Sequence, residues 1–443
     1  ESCCSKESGA CCMNRSVEFL SVGIDVGADF SLMAFALPSQ ELLGKPYKII
    51  HSSQRSLNGA VEKIKTLSQK YQLPARVFME STGIYHYPLY HKMKDAGFDV
   101  FVLNPLVTHA GRDLNVRNIH NDKYDSQKIA LLGLRPGLKT SLIPSDQVIS
   151  MKVILREYYA VKKEISMYIC RLKNQLRQAF PQFLPLFSKV NGVTAMAILC
   201  EYPNPESLLN AGEHAVADFM KSVSHNGPLK VQKKAAALIQ AAQDARSFGH
   251  WNHGISILIR HYIEMIRLLD VRAKTLLAQA KALLAEQDSK TLAHQTELLQ
   301  TIPGIGFLSA LTLICELGDF SAFKRPKQLF SYFGLDPIVR QSGNYNGTNL
   351  KLSKRGSTFA RRCIFVIALQ SISLNIHKEP KNPVLRTFYE EKCMCKAKMT
   401  AIGAVMHKIC NLIFAVLRND APFVLQTPEQ HNAAYLSKTH SVA

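Results

Sequence analysis

One tryptophan, Trp251, stands in the whole chain of 443 residues, and acidic residues are scarce beside basic ones, 34 Asp and Glu against 54 Lys and Arg. The imbalance leaves a formal net charge of +20. Such an excess raises the rate of encounter with polyanions and supports binding to phosphate backbones through counterion release. Long apolar runs are also lacking. No uninterrupted stretch approaches the roughly 18 residues that a spanning helix needs, and no charged-then-apolar leader opens the chain. The expectation is a cytosolic protein without a membrane partner. The 11 cysteines are odd in number. Seven lie scattered through apolar helical segments, Cys170, Cys200, Cys315 and Cys363 among them, and read as reduced core residues. Cys3, Cys4, Cys11 and Cys12 cluster instead in a polar stretch ahead of Met13. Two cysteine pairs can hold zinc, but six residues separate the pairs and no neighbouring side chains suited to orient such ligands accompany them. Residues 1–12 read as an upstream extension and 1–16 as a disordered or appended tail.

What is present is enough apolar sequence, 47%, for real cores, in a chain long enough for two or three domains. From Val17 to about Ala130 the pattern is rich in strands. β-type runs occupy 18–25, 30–37, 47–51, 76–80 and 99–103, with amphipathic helical segments at 57–71 and 85–96. Three consecutive strands followed by an alternation of strand and helix predict an α/β layer with a mixed sheet. The stretch 135–146, with its Pro and Gly, reads as a linker.

Beyond Met151 the pattern is helical. Ile154, Tyr158, Val161, Ile165, Tyr168 and Leu172 recur at steps of four and three, as do Ile259, Tyr262, Ile266, Leu269, Ala273, Leu276, Ala280 and Leu283. That is a coiled-coil seam, open either to pairing within the chain as an antiparallel arm or to pairing across a dimer. A less regular helical insert at 185–250 separates the two, and no chemistry attaches to it. A third unit begins near Glu297, breaks at a polar loop over 340–352, and continues through two or three helices to about Arg418. The domains expected are therefore 17–146, a helical coiled-coil region 147–296, a C-terminal domain 297–420 and a flexible tail 421–443.

Four carboxylates carry the first chemical signal. Asp25 ends a buried strand in GIDVG, where Gly23 and Gly27 allow close backbone approach. Glu80 ends the strand VFME before a Ser-Thr-Gly turn. Asp122 and Asp125 stand three apart at a helix start, on one helical face. Each alone could cap a turn or favour a helix N-terminus. Gathered on one frame they would repel one another without a hard divalent cation, and carboxylates with water suit Mg²⁺ or Mn²⁺. Metal-assisted phosphodiester chemistry fits that donor set and the basic charge.

GIDVGADF, ESTGIYHYPLYHKMKDAGFDVFVLNP and RNIHNDKYDSQKIA resemble the three acidic blocks of the DEDD transposases of insertion sequences. The family's strand Asp, its Glu in an E-[AS]-T-G-x-Y block and its D-x-x-D pair fall on Asp25, Glu80, Asp122 and Asp125. The middle block matches over about 25 residues, through Asn104 and Pro105. The resemblance implies a RuvC-like (ribonuclease H-like) domain, a bacterial or archaeal, nucleoid-associated setting, and donor and target DNA as substrates. It also implies a structured noncoding guide (bridge) RNA whose pairing chooses the sites, and a dimer or tetramer.

The C-terminal unit adds TIPGIG, a helix-hairpin-helix type turn. Gly304 and Gly306 permit a tight backbone whose N–H groups could meet phosphate oxygens, although a helix–helix turn packed in a core has the same sequence. Downstream, Arg340, Lys351, Lys354, Arg355, Arg361 and Arg362 crowd into a polar loop and helix start, suited to a scissile phosphate or to a basic surface that only holds DNA. This combination resembles the family's C-terminal transposase domain, in which the serine of an S-G pair after a G-L-x-P block is the nucleophile. GLDPIVRQSG puts that role on Ser342, with Ser353 and Ser357 as nearby competitors. A phosphoserine would conserve bond energy for strand exchange. The resemblance lets the acidic and serine domains come from different subunits.

Three other readings stand beside this one. A junction-cleaving metal nuclease would use the four carboxylates without the serine. GIDVG also opens sugar-kinase and actin-like ATPase domains, but the further Gly-rich phosphate loops those need are missing. A non-catalytic nucleic-acid binder would need neither carboxylates nor serine. The insert 185–250 and the cysteine cluster are departures from the family pattern.

Overall fold

The computed structural model of the chain describes residues 18–81, 84–104, 122–138, 143–286, 290–338, 341–342, 345–346, 351–427 and 429–430. For Asp122 and for 341–342 and 345–346 the backbone alone is described. The cysteine cluster at 3–12 lies outside the described residues. The chain divides into two compact units, 1–143 and 144–443.

The first unit is built on a five-stranded sheet. Its strands are β1 (Leu20–Val26), β2 (Phe30–Ala36), β3 (Tyr47–Ile50), β4 (Ala75–Glu80) and β5 (Asp99–Leu103), in the order β3-β2-β1-β4-β5. β1 pairs antiparallel with β2 and parallel with β4, and β4 is parallel to β5. A meander feeding parallel crossovers is the mixed sheet expected, and this strand order and sense are those of ribonuclease H-like folds.

Composition decides which helix covers which face. Along β1, Leu20, Val22, Ile24 and Val26 share one face and are buried among Val61 and Ile64 of α1 (Gln54–Tyr71) and Leu89 and Met93 of α2 (His86–Asp95). Ser53 starts α1 by accepting the N–H of Ser56, the usual way to satisfy an orphan first-turn donor. The alternate positions of β1 are Ser21, Gly23 and Asp25, small or polar. They admit a closely seated helix, α3 (Asp122–Gly133), whose Ile129 and Leu132 pack on Phe78 and Leu103.

The second unit is helical and holds two cores. α4 (Asp146–Ala179) and α8 (His253–Leu284) lie antiparallel and settle the question of the seam: Val161, Ile165 and Leu172 are buried with Ile259, Ile266, Leu269 and Ala273 of the same chain. Flanking charges pair across the arm, Lys162 with Asp270 at 3.5 Å and Arg272 with Glu157. The segment between them is more regular than its sequence suggests. A 3₁₀ turn at 181–186 leads into α5 (Val193–Glu201), α6 (Pro205–Val223) and α7 (Pro228–Asp244). Their buried Ile198, Leu208, Val216, Val231 and Leu238 extend the core of the arm. Trp251 donates to Ser256 Oγ at 2.6 Å.

The second core gathers α9 (Lys290–Gln300), α10 (Phe307–Leu317), α11 (Pro326–Tyr332), α12 (Thr358–Ile372), α13 (Pro383–Cys395) and α14 (Lys398–Asn419) around the first turns of α4. α14 is long and apolar enough to cross a membrane by length and composition, and 56% of its most apolar window is buried inside the unit.

After α14, the Phe423 N–H donates to Thr301 Oγ1 at 2.8 Å and its ring packs on the core. One expectation is corrected here. The cysteines are not uniformly internal. All seven described ones are free, but Cys170 and Cys395 are exposed while Cys315, Cys363 and Cys410 are buried. Burial pushes the thiols of Cys315 and Cys410 up to about 12, which keeps them protonated and inert.

Candidate active site

Strand register brings the first two carboxylates together. β1 and β4 run parallel with Gly23 beside Phe78 and Ile24 beside Met79, so the next step sets Asp25 beside Glu80 on the same face. Glu80 is buried, at 8% exposure. That shared face is the one α3 covers. Ser21 Oγ donates to Ala130 O at 2.6 Å, and a Cβ on Gly23 would lie 2.4 Å from Ser126 O and 2.1 Å from Ala130 N. α3 therefore runs against the direction of β1. Moving back from Ala130 to Ser126 advances the helix toward the end of β1 where Asp25 sits, and the helix begins one turn earlier, at Asp122. Asp125, half-buried, lies in that first turn.

Gly23 sets this spacing. An alanine there collides with two backbone atoms of α3, which cannot rotate away. Overpacking of this kind costs roughly 1–3 kcal/mol and sometimes more. Gly23→Ala is expected to lower the melting temperature, and the DNA cleavage that the family resemblance implies is expected to fall further than DNA binding, since the displaced part is the helix start. Thermal melting alongside cleavage and retardation assays checks this. Unchanged melting would mean that α3 is not seated this closely.

Among the described residues no three His, Cys, Asp or Glu side chains gather as a metal site. The side chain of Asp122 lies outside them. Asp25 and Glu80, two carboxylates side by side with one of them buried, have the hard-oxygen chemistry that a divalent cation takes.

In the second unit the serine loop rises from a narrow base. Ile338 N–H donates to Lys351 O at 2.8 Å, Ser353 N–H to Asp336 O at 2.7 Å, and Lys354 N–H to Gly334 O at 3.0 Å. Ser353 Oγ adds a 2.6 Å bond to Asp336 Oδ1. Above this ladder, β6 (Gln341–Ser342) pairs with β7 (Tyr345–Asn346), Ser342 opposite Tyr345, as a small hairpin. Ser342 thus occupies a strand position. Its competitors have structural partners: Ser353 binds Asp336, and Ser357 caps α12 by accepting the N–H of Ala360.

The basic residues divide. Lys351, Lys354 and Arg355 are exposed at the loop base. Arg361 is partly committed, donating to Phe333 O at 3.0 Å, and Arg362 lies over the Tyr159 ring at 5.5 Å. Arg340 lies outside the described residues. Of the two turn glycines, Gly304 (φ +102°) is a packing position. Its Cβ would meet the backbone of Ser371 at 2.9 Å, and Ser371 Oγ donates to Pro303 O at 3.0 Å. Gly306 is exposed and begins α10 with no side-chain cap.

Sequence reading missed the support beneath the loop. Glu316, 5% exposed, accepts from half-exposed Arg156 through Nη2 at 3.1 and 3.3 Å and through Nε at 3.3 Å. Tyr332 Oη donates to Glu316 O at 3.2 Å. Burial lowers the Lys152 ammonium, and Glu316 partly offsets this. The first turns of α4 are thereby tied to the residues just before Gly334. A lone Glu within the apolar run LTLICELG was the available signal.

A ribonuclease H-like sheet presenting paired carboxylates, joined in sequence to a helical unit with a serine hairpin, defines a class that the family comparisons resolve. The DEDD transposase description of the IS110 group matches residues 22–181, and the description "Transposase IS116/IS110/IS902 family" matches residues 296–390. The chain belongs to the DEDD insertion-sequence transposase family. Relatives include the IS900 insertion-element protein of Mycobacterium paratuberculosis, 27% identical over 52% of this chain and 54% of that one. The pilin gene-inverting protein of Moraxella bovis is 30% identical over 37% of this chain and 47% of that one. The IS110 protein of Streptomyces coelicolor is 22% identical over 76% and 80%. The chain thus spans about half the length of the first two. Among solved structures, Thermus RuvC ("T. thermophilus RuvC in complex with Holliday junction substrate") aligns with 28% of this chain and 99% of its own, at 14% identity and a TM-score of 0.21.

Proposed function

We propose that this protein is a DNA recombinase that inserts and excises a mobile element, cutting and rejoining strands through a phosphoserine at Ser342. The observation that carries the reading is the serine hairpin braced on the core of a chain whose other half sets Asp25 beside Glu80. The family match and the net charge of +20 support it. In the reaction, Ser342 Oγ forms a bond to a backbone phosphorus while the phosphorus–oxygen bond to one strand end breaks. The departing DNA hydroxyl leaves protonated. A hydroxyl of the exchange partner then attacks the phosphoserine, rejoining DNA and restoring the serine, so no external energy is consumed.

Domains of this kind generally use a divalent metal, and a Mg²⁺ or Mn²⁺ ion held by Asp25, Glu80, Asp122 and Asp125 would stabilise charge on the reacting oxygens. Lys351, Lys354 and Arg355 hold the phosphate backbone at the loop base. A structured guide RNA supplies sequence choice by base pairing, with the basic protein reading shape and backbone. The assembly is a dimer or tetramer, because strand exchange needs several sites at once.

The test is to incubate the full chain with duplex DNA and Mg²⁺, trap the protein–DNA adduct, and map the modified peptide. Phosphate on Ser342 supports the proposal. Hydrolysed strands with no adduct would replace it by a nuclease. Sequencing the RNA that copurifies tests the guide separately, and an absence of any discrete species removes that part alone.

A further inference from the structure

Between α12 and α13 the chain makes a short turn, 373–382, that serves neither core. Its tip carries Ile376, 94% exposed. Single exposed apolar side chains are ordinary on protein surfaces, but this one sits on an unusually constrained support. Asn375 Oδ1 accepts the N–H groups of His377 at 2.8 Å and Glu379 at 2.9 Å, and Asn375 Nδ2 donates to Glu379 Oε2 at 3.0 Å. Backbone bonds close the turn from Asn375 N–H to Glu379 O and from Lys378 N–H to Asn375 O. The base is anchored by Asn382 N–H to the carbonyl of buried Ser371, at 3.0 Å, and by Lys381 Nζ to Gln370 Oε1, at 2.8 Å. The isoleucine is held out from the protein on a stiff stem.

Its surroundings point to one kind of partner. His377, Lys378 and Lys381 follow the tip, with Glu379 among them. Ser371 at the stem base is the residue against which Gly304 of the TIPGIG turn packs, so the glycine turn lies beside the stem. A partly apolar face, Val366, Leu369 and Leu374, runs back from Ile376 along α12 toward Arg362 and the serine loop. The helix of 15 residues covers about 22 Å, roughly six base-pair steps at 3.4 Å each. Lys378 and Lys381 beside an apolar point, with Glu379 held by Asn375, in a chain of net charge +20, suit a polyanionic duplex better than a protein partner. An aliphatic side chain inserted between base steps unstacks and kinks DNA.

We propose that Ile376 is a wedge that enters the duplex DNA held by this unit and opens a base step there. The proposal rests on the DNA-recombinase reading, and the experiment separates the two. A relaxed closed-circular plasmid is treated with topoisomerase in the presence of full-length protein carrying Ser342→Ala, which removes the nucleophile. The linking-number change is then read on a gel, with retardation measured in parallel.

Ile376 touches no core, so Ile376→Ser leaves the fold alone. It is expected to cut the linking-number change at least about threefold while binding weakens less than about threefold, because phosphate contacts carry most of the affinity. Ile376→Phe is expected to preserve the change. Equal unwinding by Ile376→Ser overturns the wedge. A shift of Ile376→Ser to a smaller species in sedimentation, with binding lost, also overturns it by making the tip a contact between copies. Plasmid binding by the parent without any linking-number change refutes the wedge alone. Failure of the parent to bind plasmid at all refutes the recombinase reading together with it.

Discussion

Ser342→Ala is expected to bind DNA as the parent does, to form no covalent adduct, and to lose recombination by at least a factor of about a thousand, as deletion of an attacking group does in other covalent enzymes. The expectation is sharp because the neighbouring serines have other work. Ser353 Oγ is bonded to Asp336 at 2.6 Å, and Ser357 caps α12. Ser353→Ala and Ser357→Ala should keep the adduct, with Ser357→Ala losing about 1 kcal/mol of stability from the missing cap. Asp25→Asn should also abolish cleavage while leaving binding within a few-fold, since the net charge barely changes. The two variants divide the alternatives. Strand cleavage that survives Ser342→Ala but not Asp25→Asn identifies a metal nuclease. Recombination that survives both identifies a protein that only holds nucleic acid.

How much of this was legible in sequence varied with the range of the interaction. The five strands follow from alternation and β-branched runs, and the side of the sheet on which α3 lies can be read from β1 itself. Leu20, Val22, Ile24 and Val26 demand an apolar layer, whereas Ser21, Gly23 and Asp25 leave room for a helix backbone. The arm was legible as a seam but not as a pairing. Heptads specify a partner surface without saying whose it is, and only the packing of Val161 and Leu172 against Ile259 and Leu269 answers that. The support of the serine loop was illegible. It depends on groups distant in the chain, Arg156 with Glu316 and Asp336 with Ser353, and a polar residue gives no periodic signal of its partner. Gly304 shows the same limit from the other side. Its place in a P-G-I-G turn suggests phosphate, yet its missing Cβ is what lets Ser371 approach.

The second large effect should come from two glycines that touch no substrate. Gly334 (φ +66°) and Gly356 (φ +119°) face one another's strands at the loop base. A Cβ on Gly334 would lie 2.2 Å from Arg355 O, and one on Gly356 would lie 2.1 Å from Tyr332 O. Alanine at either position meets two penalties, the left-handed backbone at roughly 1–2 kcal/mol and the collision at roughly 1–3 kcal/mol. The colliding atoms are backbone on both sides, so relief requires the ladder from 334–338 to 351–354 to part. Ser342 and the exposed cations Lys351, Lys354 and Arg355 all hang from that ladder. Gly334→Ala and Gly356→Ala should each reduce adduct formation at least about a hundredfold, equivalent to about 2.7 kcal/mol or more of lost alignment. Because both act on one brace, the double variant should lose less than the product of the two. Gly306→Ala is the control: its φ is −91°, nothing lies within 4 Å of the added carbon, and adduct formation should stay within a few-fold of the parent. If Gly334→Ala melts normally and still forms the adduct, the brace is not what holds the serine in place.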